Sequence, residues 1–262
     1  MYENDLLLLK YEENCKDIVR DLAKCLDSVR ATVEEVTHSL YLEDISTGMS
    51  SSMELYFGRE PEDKNEKIVC FAFKLIHNLF NPSFIVTEEN LYSLWLEFVQ
   101  QAGLDISHVS YRDRCLRAHH CKPSQIPMLM KQYLVYLYSD DDTDTPFLKA
   151  AKLHYQFVRI SPFHSYNGFL SRLLLAKSLQ ILDVVSPLCR LYFSAEFEYN
   201  VNEYRTQLFS DNEETAICYI LGLMNSSLHR QLHWMILGCN TFVCYNGTLP
   251  EPKPLNALGL YV

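Results

Sequence analysis

The chain has 262 residues, of which 48% are hydrophobic and 21% charged, so it can bury a sizeable core and global disorder is excluded. The formal net charge of −10 excludes a general binder of the phosphate backbone, since such binding needs an excess of Lys and Arg, and we expect no nucleic-acid partner. No apolar run approaches the ~20 residues of a transmembrane helix, and no signal-peptide pattern opens the chain, which predicts a cytoplasmic protein without a membrane partner.

A long first helix is predicted by apolar residues spaced alternately by four and three positions, which form one seam. They are Leu22, Leu26, Val29, Val33, Val36 and Leu40. Residues 48–67 interrupt this pattern with serines, glycine, proline and a charge cluster, so we predict a connection there.

Most of the remaining chain also carries helical patterns. They cover about residues 68–80, 88–101 (opened by Thr87 as an N-cap), 126–138, 147–159 and 169–182, followed by two or three segments up to residue 244. Sparse and partly alternating apolar residues over 104–119 predict a short hairpin or a loop. The sequence therefore predicts one mainly α domain with a small β-hairpin.

Between Leu153 and Arg172 the sequence predicts a helix, a short loop and a second, very apolar helix. Amide groups at the start of the second helix form a ready anion site, because the helix dipole favours negative charge there. On these residues alone, a simple turn at Asn167-Gly168 with N-capping is the favoured interpretation.

The same string resembles the signature of the Fic (Fido) family, His-Pro-Phe-x-Asp/Glu-Gly-Asn-Gly-Arg-x-x-Arg after a helix ending in His-x-x-Phe-Val-x-Ile. The matching residues are His154, Phe157, Val158, Ile160, Pro162, Phe163, Asn167, Gly168 and Arg172. The similarity covers about residues 87–182. It implies a Fic-like helical domain over residues 67–262, with an N-terminal helix and connection over residues 1–66 packed onto it as one unit.

The resemblance also implies roles for individual residues. Asn167, Gly168 and Arg172 correspond to nucleotide-binding positions, and Tyr111 and Arg112 correspond to a flap that docks the target protein. Members of the family typically transfer AMP from ATP to a target hydroxyl (AMPylation), with the first motif histidine as general base.

The departures from the motif fall on this chemistry. The base position holds Ser161, whose hydroxyl has no proton affinity near neutral pH. The Mg²⁺-binding acid is Ser165, the first motif glycine is Tyr166, and the phosphate-binding arginine is Phe169. We therefore predict a pseudoenzyme that acts by binding a nucleotide or a protein. The alternatives are an active, divergent nucleotidyl- or phosphotransferase and a partner that pairs with and regulates an active relative.

No cofactor is firmly predicted. ATP binding is expected to be weak at most, and Mg²⁺ binding is not expected because the hard anionic ligand is missing. The soft ligand types Cys115, His119, His120 and Cys121 lie close together, but their spacing is unlike the paired ligands of structural zinc sites, so we predict no metal site. The protein partner or target is not identified by the sequence.

Two charged residues lie on otherwise apolar helix faces. The seam of the first helix, continued three positions past Leu40, reaches Glu43, and Arg172 lies in a helix that is apolar nearly all round. Because buried charges need partners, we predict a bidentate ion pair between them; the alternative is that Glu43 caps a helix end in solvent. Many Fic proteins carry an inhibitory Ser/Thr-x-x-x-Glu-Gly/Asn helix. Ser39 and Glu43 match it, which implies that they are inhibitory residues, whereas Asp44 departs from the last position.

Overall fold

The computed structural model describes residues 10–11, 14–15, 28–103, 111–117, 120–140, 143–185, 191–210 and 212–238. Within these residues the chain is mainly helical, with ten α-helices. They are α1 (Ser28–Tyr41), α2 (Met49–Tyr56), α3 (Lys64–Leu79), α4 (Glu88–Gln101), α5 (Ile126–Leu137), α6 (Pro146–Ile160), α7 (Asn167–Ile181), α8 (Ser194–Tyr199), α9 (Val201–Leu208) and α10 (Glu213–Gly238). One turn of 3₁₀ helix, Pro123–Gln125, precedes α5.

Helix α7 is the centre of the fold. Nearly all of its residues are buried, as its all-round apolar sequence requires, and its most extensive packing is against α6. Helix α1 packs against α3, α7 and α8, and α10 packs against α6, α8 and α9. The loop between α6 and α7 therefore lies where several helices meet.

Helix α1 is an integral part of the core. The predicted seam is confirmed where the structure describes it, since Val33, Val36 and Leu40 are fully buried. On the same helix the buried carboxylate of Glu35 accepts hydrogen bonds from the backbone N–H and the hydroxyl of Ser194, at 3.1 and 2.5 Å. Because this carboxylate also accepts from the Phe193 N–H and so caps the start of α8, α1 cannot leave the domain without removing the acceptor of these buried N–H groups.

Residues 48–67 were predicted to be a connection, and this prediction is wrong. They contain all of α2 and the beginning of α3. The serines of α2 have weak helix propensity, but Ser52 and Leu55 are buried against the core, and tertiary packing outweighs the propensity.

The predicted helices after this point are confirmed up to residue 238, and residues 239–244, the end of the last predicted segment, lie outside the described residues. In particular, Thr87 is the N-cap of α4, and its side chain accepts a hydrogen bond of 3.1 Å from the Asn90 N–H. The predicted hairpin is not confirmed. Residues 111–117 form no strand, and residues 104–110 and 118–119 lie outside the described part of the chain. No helix in the described ranges is both long and apolar enough to span a membrane.

Candidate functional site

The loop between α6 and α7 has a tightly determined shape. At its two ends Ser161 and Tyr166 adopt left-handed backbone, with φ of 44° and 56°. Within it the Asn167 side chain accepts a hydrogen bond from the Phe163 N–H at 2.9 Å and donates one to the Phe163 carbonyl at 2.7 Å. The side-chain amide of Asn167 is therefore engaged in holding the loop.

Ser161 lies at the position of the family's general base. Its side chain is buried, and its hydroxyl donates a hydrogen bond of 2.6 Å to the carbonyl of Val158. The Nε2 of His120 lies 3.4 Å from the same hydroxyl oxygen. An imidazole therefore reaches this position from a segment 41 residues earlier. Sequence reasoning considered His120 only as a metal ligand, because no local pattern links it to Ser161.

The other motif positions that depart from the family form an aromatic cluster. Phe169 is 1% exposed and packs against Phe98, with ring centroids 5.5 Å apart. Tyr166 meets the same Phe98 ring edge-on at 5.1 Å. The backbone carbonyl of Ser165 accepts a hydrogen bond of 2.9 Å from the Trp95 indole. Ser165, Tyr166 and Phe169 therefore provide neither a positive charge for a phosphate group nor a carboxylate for a metal ion.

Arg172 is the buried cation of the site, and its donors are divided between two residues of the α1 end. Its Nε donates to the Ser39 hydroxyl at 2.7 Å, while its Nη2 donates to the Ser39 carbonyl at 2.8 Å and to Glu43 Oε1 at 2.9 Å. The ion pair predicted between Glu43 and Arg172 is thus present in the structure. It is not bidentate as predicted, because Ser39 takes two of the donor contacts.

Gly168 allows the carboxylate of Glu43 to come this close to α7. A Cβ atom at residue 168 would lie 2.5 Å from Glu43 Oε1 and 3.0 Å from Arg172 Nη1. Since only glycine leaves this space, Glu43 can lie at the first turn of α7, where the amide groups and the helix dipole favour an anion. The carboxylate of Glu43 therefore lies beside the first turn of α7, the helix end at which the sequence indicated an anion site.

Asp44 stands where the inhibitory motif of the family has Gly or Asn. Its φ of 63° lies in the left-handed region, which those two residues favour and which Asp also adopts. The departure at this position therefore preserves the backbone turn that directs Glu43 towards Arg172.

Arg112, predicted to dock a target protein, is buried, with 1% of its surface exposed. Its guanidinium donates to four backbone carbonyls, those of Arg114, Cys121, Ile160 and Ser161, at 2.6–3.0 Å. The residue ties the segment 111–121 to the end of α6, because buried carbonyls need donors. Tyr111 is half-buried. Burial is the main cause that raises the pKa of its phenol, and a hydrogen bond with Glu88 raises this pKa as well. A docking role for this segment stays a prediction.

A second buried network adjoins Arg172, and sequence reasoning missed it. His154 Nε2 lies 2.7 Å from the Tyr204 hydroxyl, and its Nδ1 lies 2.8 Å from the Ser171 hydroxyl. The pKa of His154 is lowered to about 3, mainly by burial. A hydrogen bond with the Ser171 backbone acts in the opposite direction, and the nearby charge of Arg172 contributes to the lowering. His154 is therefore a neutral ring inside the core. Its position in the motif gave no signal that its partner would come from α9.

The described residues contain no group of three or more His, Cys, Asp and Glu side chains placed to hold a metal ion. His119, one of the soft ligand types in the sequence, lies outside the described residues. The sulfur of Cys121 lies 3.5 Å from Arg112 Nη2 and 3.3 Å from the carbonyl oxygen of Ile160.

Comparison with known proteins bears on the fold. Residues 89–179 match the model of the Fic/DOC family. No curated protein sequence matches the chain. Solved structures do match: a Fic family protein from Desulfovibrio desulfuricans G20 has a TM-score of 0.69 at 16% identity, over 87% of this chain and 74% of that one.

Two further structures agree. A Fic domain containing signaling protein from Bacteroides thetaiotaomicron VPI-5482 has a TM-score of 0.67 at 18% identity, over 88% of this chain and 96% of that one. Fic-1 from C. elegans has a TM-score of 0.68 at 16% identity, over 89% and 73%. The resemblance drawn from the motif is confirmed, and at these identities it establishes the fold.

Proposed function

We propose that this chain, whose residues 89–179 match the Fic/DOC family and whose helices adopt the fold of solved Fic proteins, is a binding and regulatory module without the family's usual AMP-transfer chemistry. The observation that supports the proposal most strongly is the set of hydrogen bonds that Arg172 makes. Its Nε and Nη2 groups donate to Ser39 and Glu43, in a site whose motif positions 161, 165 and 169 hold no charged residue. Residues 1–66 and 67–262 would then act as one unit, since Glu43 and Arg172 come from its two parts.

The loss of chemistry follows from three positions. Loss of a general base commonly costs about 10²–10⁴ in rate, and Ser161 cannot replace it. Phosphoryl transfer depends mainly on positioning and on charge around the phosphate oxygens. Phe169 is buried in the aromatic cluster and Ser165 carries no carboxylate, so neither can supply that charge or a magnesium ligand.

The ligand class that fits the site is a phosphate-bearing nucleotide that competes with Glu43. Arg172 and the first turn of α7 at Gly168 provide the positive end, and the Asn167-braced loop provides the shape. Binding would be weak while Glu43 holds Arg172, because the incoming anion has to displace a contact of 2.9 Å. Ser39 and Glu43 would then regulate access to the site.

Calorimetry with ATP on three proteins tests this proposal. The variant Glu43→Gly removes the competing carboxylate, and we expect it to bind ATP at least about tenfold more tightly than the wild type. Asp44→Gly is the matched control, since it removes one negative charge from the adjacent residue at a φ that suits glycine. We expect this control to bind ATP like the wild type, and Mg²⁺ to add no affinity in any of the three.

The proposal fails if Glu43→Gly binds ATP no better than Asp44→Gly does. It also fails if Arg172→Met, introduced into the Glu43→Gly protein, leaves ATP affinity unchanged. A circular dichroism spectrum of each variant establishes that the helices are retained.

A divergent transferase is the second candidate, because His120 Nε2 lies 3.4 Å from the Ser161 hydroxyl. In this alternative His120 accepts the proton of a target hydroxyl bound near Ser161. Incubating the Glu43→Gly protein with ATP labelled on the α-phosphate and a cell lysate tests it. Label on protein that is lost with His120→Ala would replace the first proposal by the second. An absence of label at full ATP occupancy would support the first.

A further inference from the structure

Helix α5 leaves one apolar side uncovered. Seven large hydrophobic side chains are exposed in the described residues, and four of them, with 47–64% of their surface accessible, belong to this helix or adjoin its end: Ile85, Met128, Val135 and Tyr138. Met128, Val135 and Tyr138 are seven and three positions apart, which places them on one side of the helix. The opposite side is buried against the core and consists of Ile126, Met130, Tyr133 and Leu137.

Tyr138 connects this side of α5 to Ile85. Its hydroxyl accepts a hydrogen bond of 3.0 Å from the Val86 N–H, so the phenol lies against the segment that precedes α4. The exposed Ile85 side chain belongs to the residue before this contact. The apolar surface therefore extends from Met128 past the end of α5 to Ile85, and we call it the α5 face. The largest apolar patch of a monomer is typically about 300–600 Å² and is often functional.

The two ends of the α5 face carry charges of opposite sign. Lys122 is exposed before the helix begins, and Asp140 is exposed after it ends. Glu88 and Glu89 are also exposed, close in sequence to Ile85 at the Asp140 end. The helix itself contains one charged residue, Lys131, and no carboxylate. The stem of Lys131 can lie along the apolar surface while its ammonium group reaches water.

This distribution of apolar and charged residues is complementary to a second copy of itself. In an antiparallel pair of α5 helices, with the twofold axis midway between positions 131 and 132, Met128 of each copy lies opposite Val135 of the other. The same axis brings the Lys122 end of each copy to the Asp140 end of the other. Because such an interface is isologous, each favourable contact occurs twice.

We propose that the α5 face is the interface of a weak, reversible homodimer in which α5 packs antiparallel to its twofold-related copy. Two patches of about 300–600 Å² bury about 600–1,200 Å² in total, which reaches only the lower bound of stable interfaces. We therefore expect a dissociation constant in the micromolar range. The inference goes beyond the proposed function, since it involves neither a nucleotide nor Arg172, and its failure is distinguishable from failure of that function.

Sedimentation equilibrium without ATP, at protein concentrations from about 5 to 500 μM, tests the proposal. We expect the average mass to rise with concentration from that of the 30.6 kDa monomer towards twice this value. Val135→Asp adds one carboxylate from each copy to the interface and should raise the dissociation constant at least about tenfold. The matched control is Phe57→Asp, at a side chain that is 71% exposed outside this face. Its dissociation constant should stay within about twofold of that of the wild type.

Exchange of the end charges tests the antiparallel arrangement. Lys122→Glu and Asp140→Lys should each raise the dissociation constant at least about threefold, because each creates two repulsive contacts. Combined in one chain, they should restore it to within about twofold of the wild type. A double variant that is not restored would refute the arrangement. A protein that stays monomeric at every concentration, or a dimer that Val135→Asp does not weaken, would overturn the proposal.

Discussion

Replacing Gly168 by alanine should test the close approach on which the description of the site depends. In an ordinary helix position this change stabilises the folded state by about 0.5–1 kcal/mol, because glycine loses more backbone entropy on folding. Here the new Cβ would lie 2.5 Å from Glu43 Oε1, closer than any real contact. The carboxylate therefore has to move away from Arg172.

The size of the effect follows from the contact that is lost. A hydrogen bond to a charged group contributes about 1.5–3 kcal/mol, and the Glu43 side chain is only 21% exposed. Arg172 keeps its two contacts with Ser39, so we take the loss as about 2 kcal/mol. After subtracting the gain in helix propensity, Gly168→Ala should destabilise the wild type by about 1 kcal/mol.

The same substitution should change sign when the carboxylate is absent. In a Glu43→Ala background the only remaining tight neighbour is Arg172 Nη1 at 3.0 Å, at the end of a long side chain. We expect Gly168→Ala to stabilise that protein by about 0.5 kcal/mol through helix propensity. Urea denaturation of the four proteins, followed by circular dichroism, measures both effects. If Gly168→Ala changes the free energy of unfolding equally in both backgrounds, Glu43 does not lie over this residue.

Three further predictions concern the surroundings of the site. The pKa of His154 is lowered to about 3 from about 6.5, so between these pH values the unfolded chain binds a proton that the folded chain does not. Wild-type stability should therefore fall by up to about 1.4 kcal/mol per pH unit below pH 6.5, and urea denaturation of His154→Gln should lack this contribution. Arg112→Met should destabilise by about 3–5 kcal/mol, because buried carbonyls lose their donor, whereas the exposed Arg114→Ala should stay within about 0.5 kcal/mol; equal thermal shifts would contradict the burial. Asp44→Gly should stabilise by about 0.5–1 kcal/mol, since φ is 63° there, and a lower unfolding midpoint would contradict the backbone geometry.

Much of the helical architecture could be predicted because its signals are local. The N-cap at Thr87, the apolar seam of α1 and the all-round apolar sequence of α7 each depend on residues within a few turns of one another. The prediction was wrong for α2, where serines give a weak local signal and packing of Leu55 against the core decides the structure.

The ion pair of Glu43 and Arg172 is a non-local contact that could nevertheless be predicted. Each residue is a charge on an apolar helix face, and a buried charge demands a partner wherever that partner lies in the sequence. Its detailed geometry could not be predicted. The division of donors between Glu43 and Ser39 depends on how α1 lies across α7, which no pattern within either helix specifies.

By itself the sequence determined the helical fold class, the motif loop and the charge that had to be neutralised inside it, since periodicity, turn residues and desolvation act on short segments. Only the tertiary structure decided that Arg112 is a buried brace, that His120 approaches Ser161, and that Tyr204 contacts His154. These contacts join residues tens of positions apart. Their geometry is set by the packing of whole helices, where a small change of angle moves a side chain out of hydrogen-bond range.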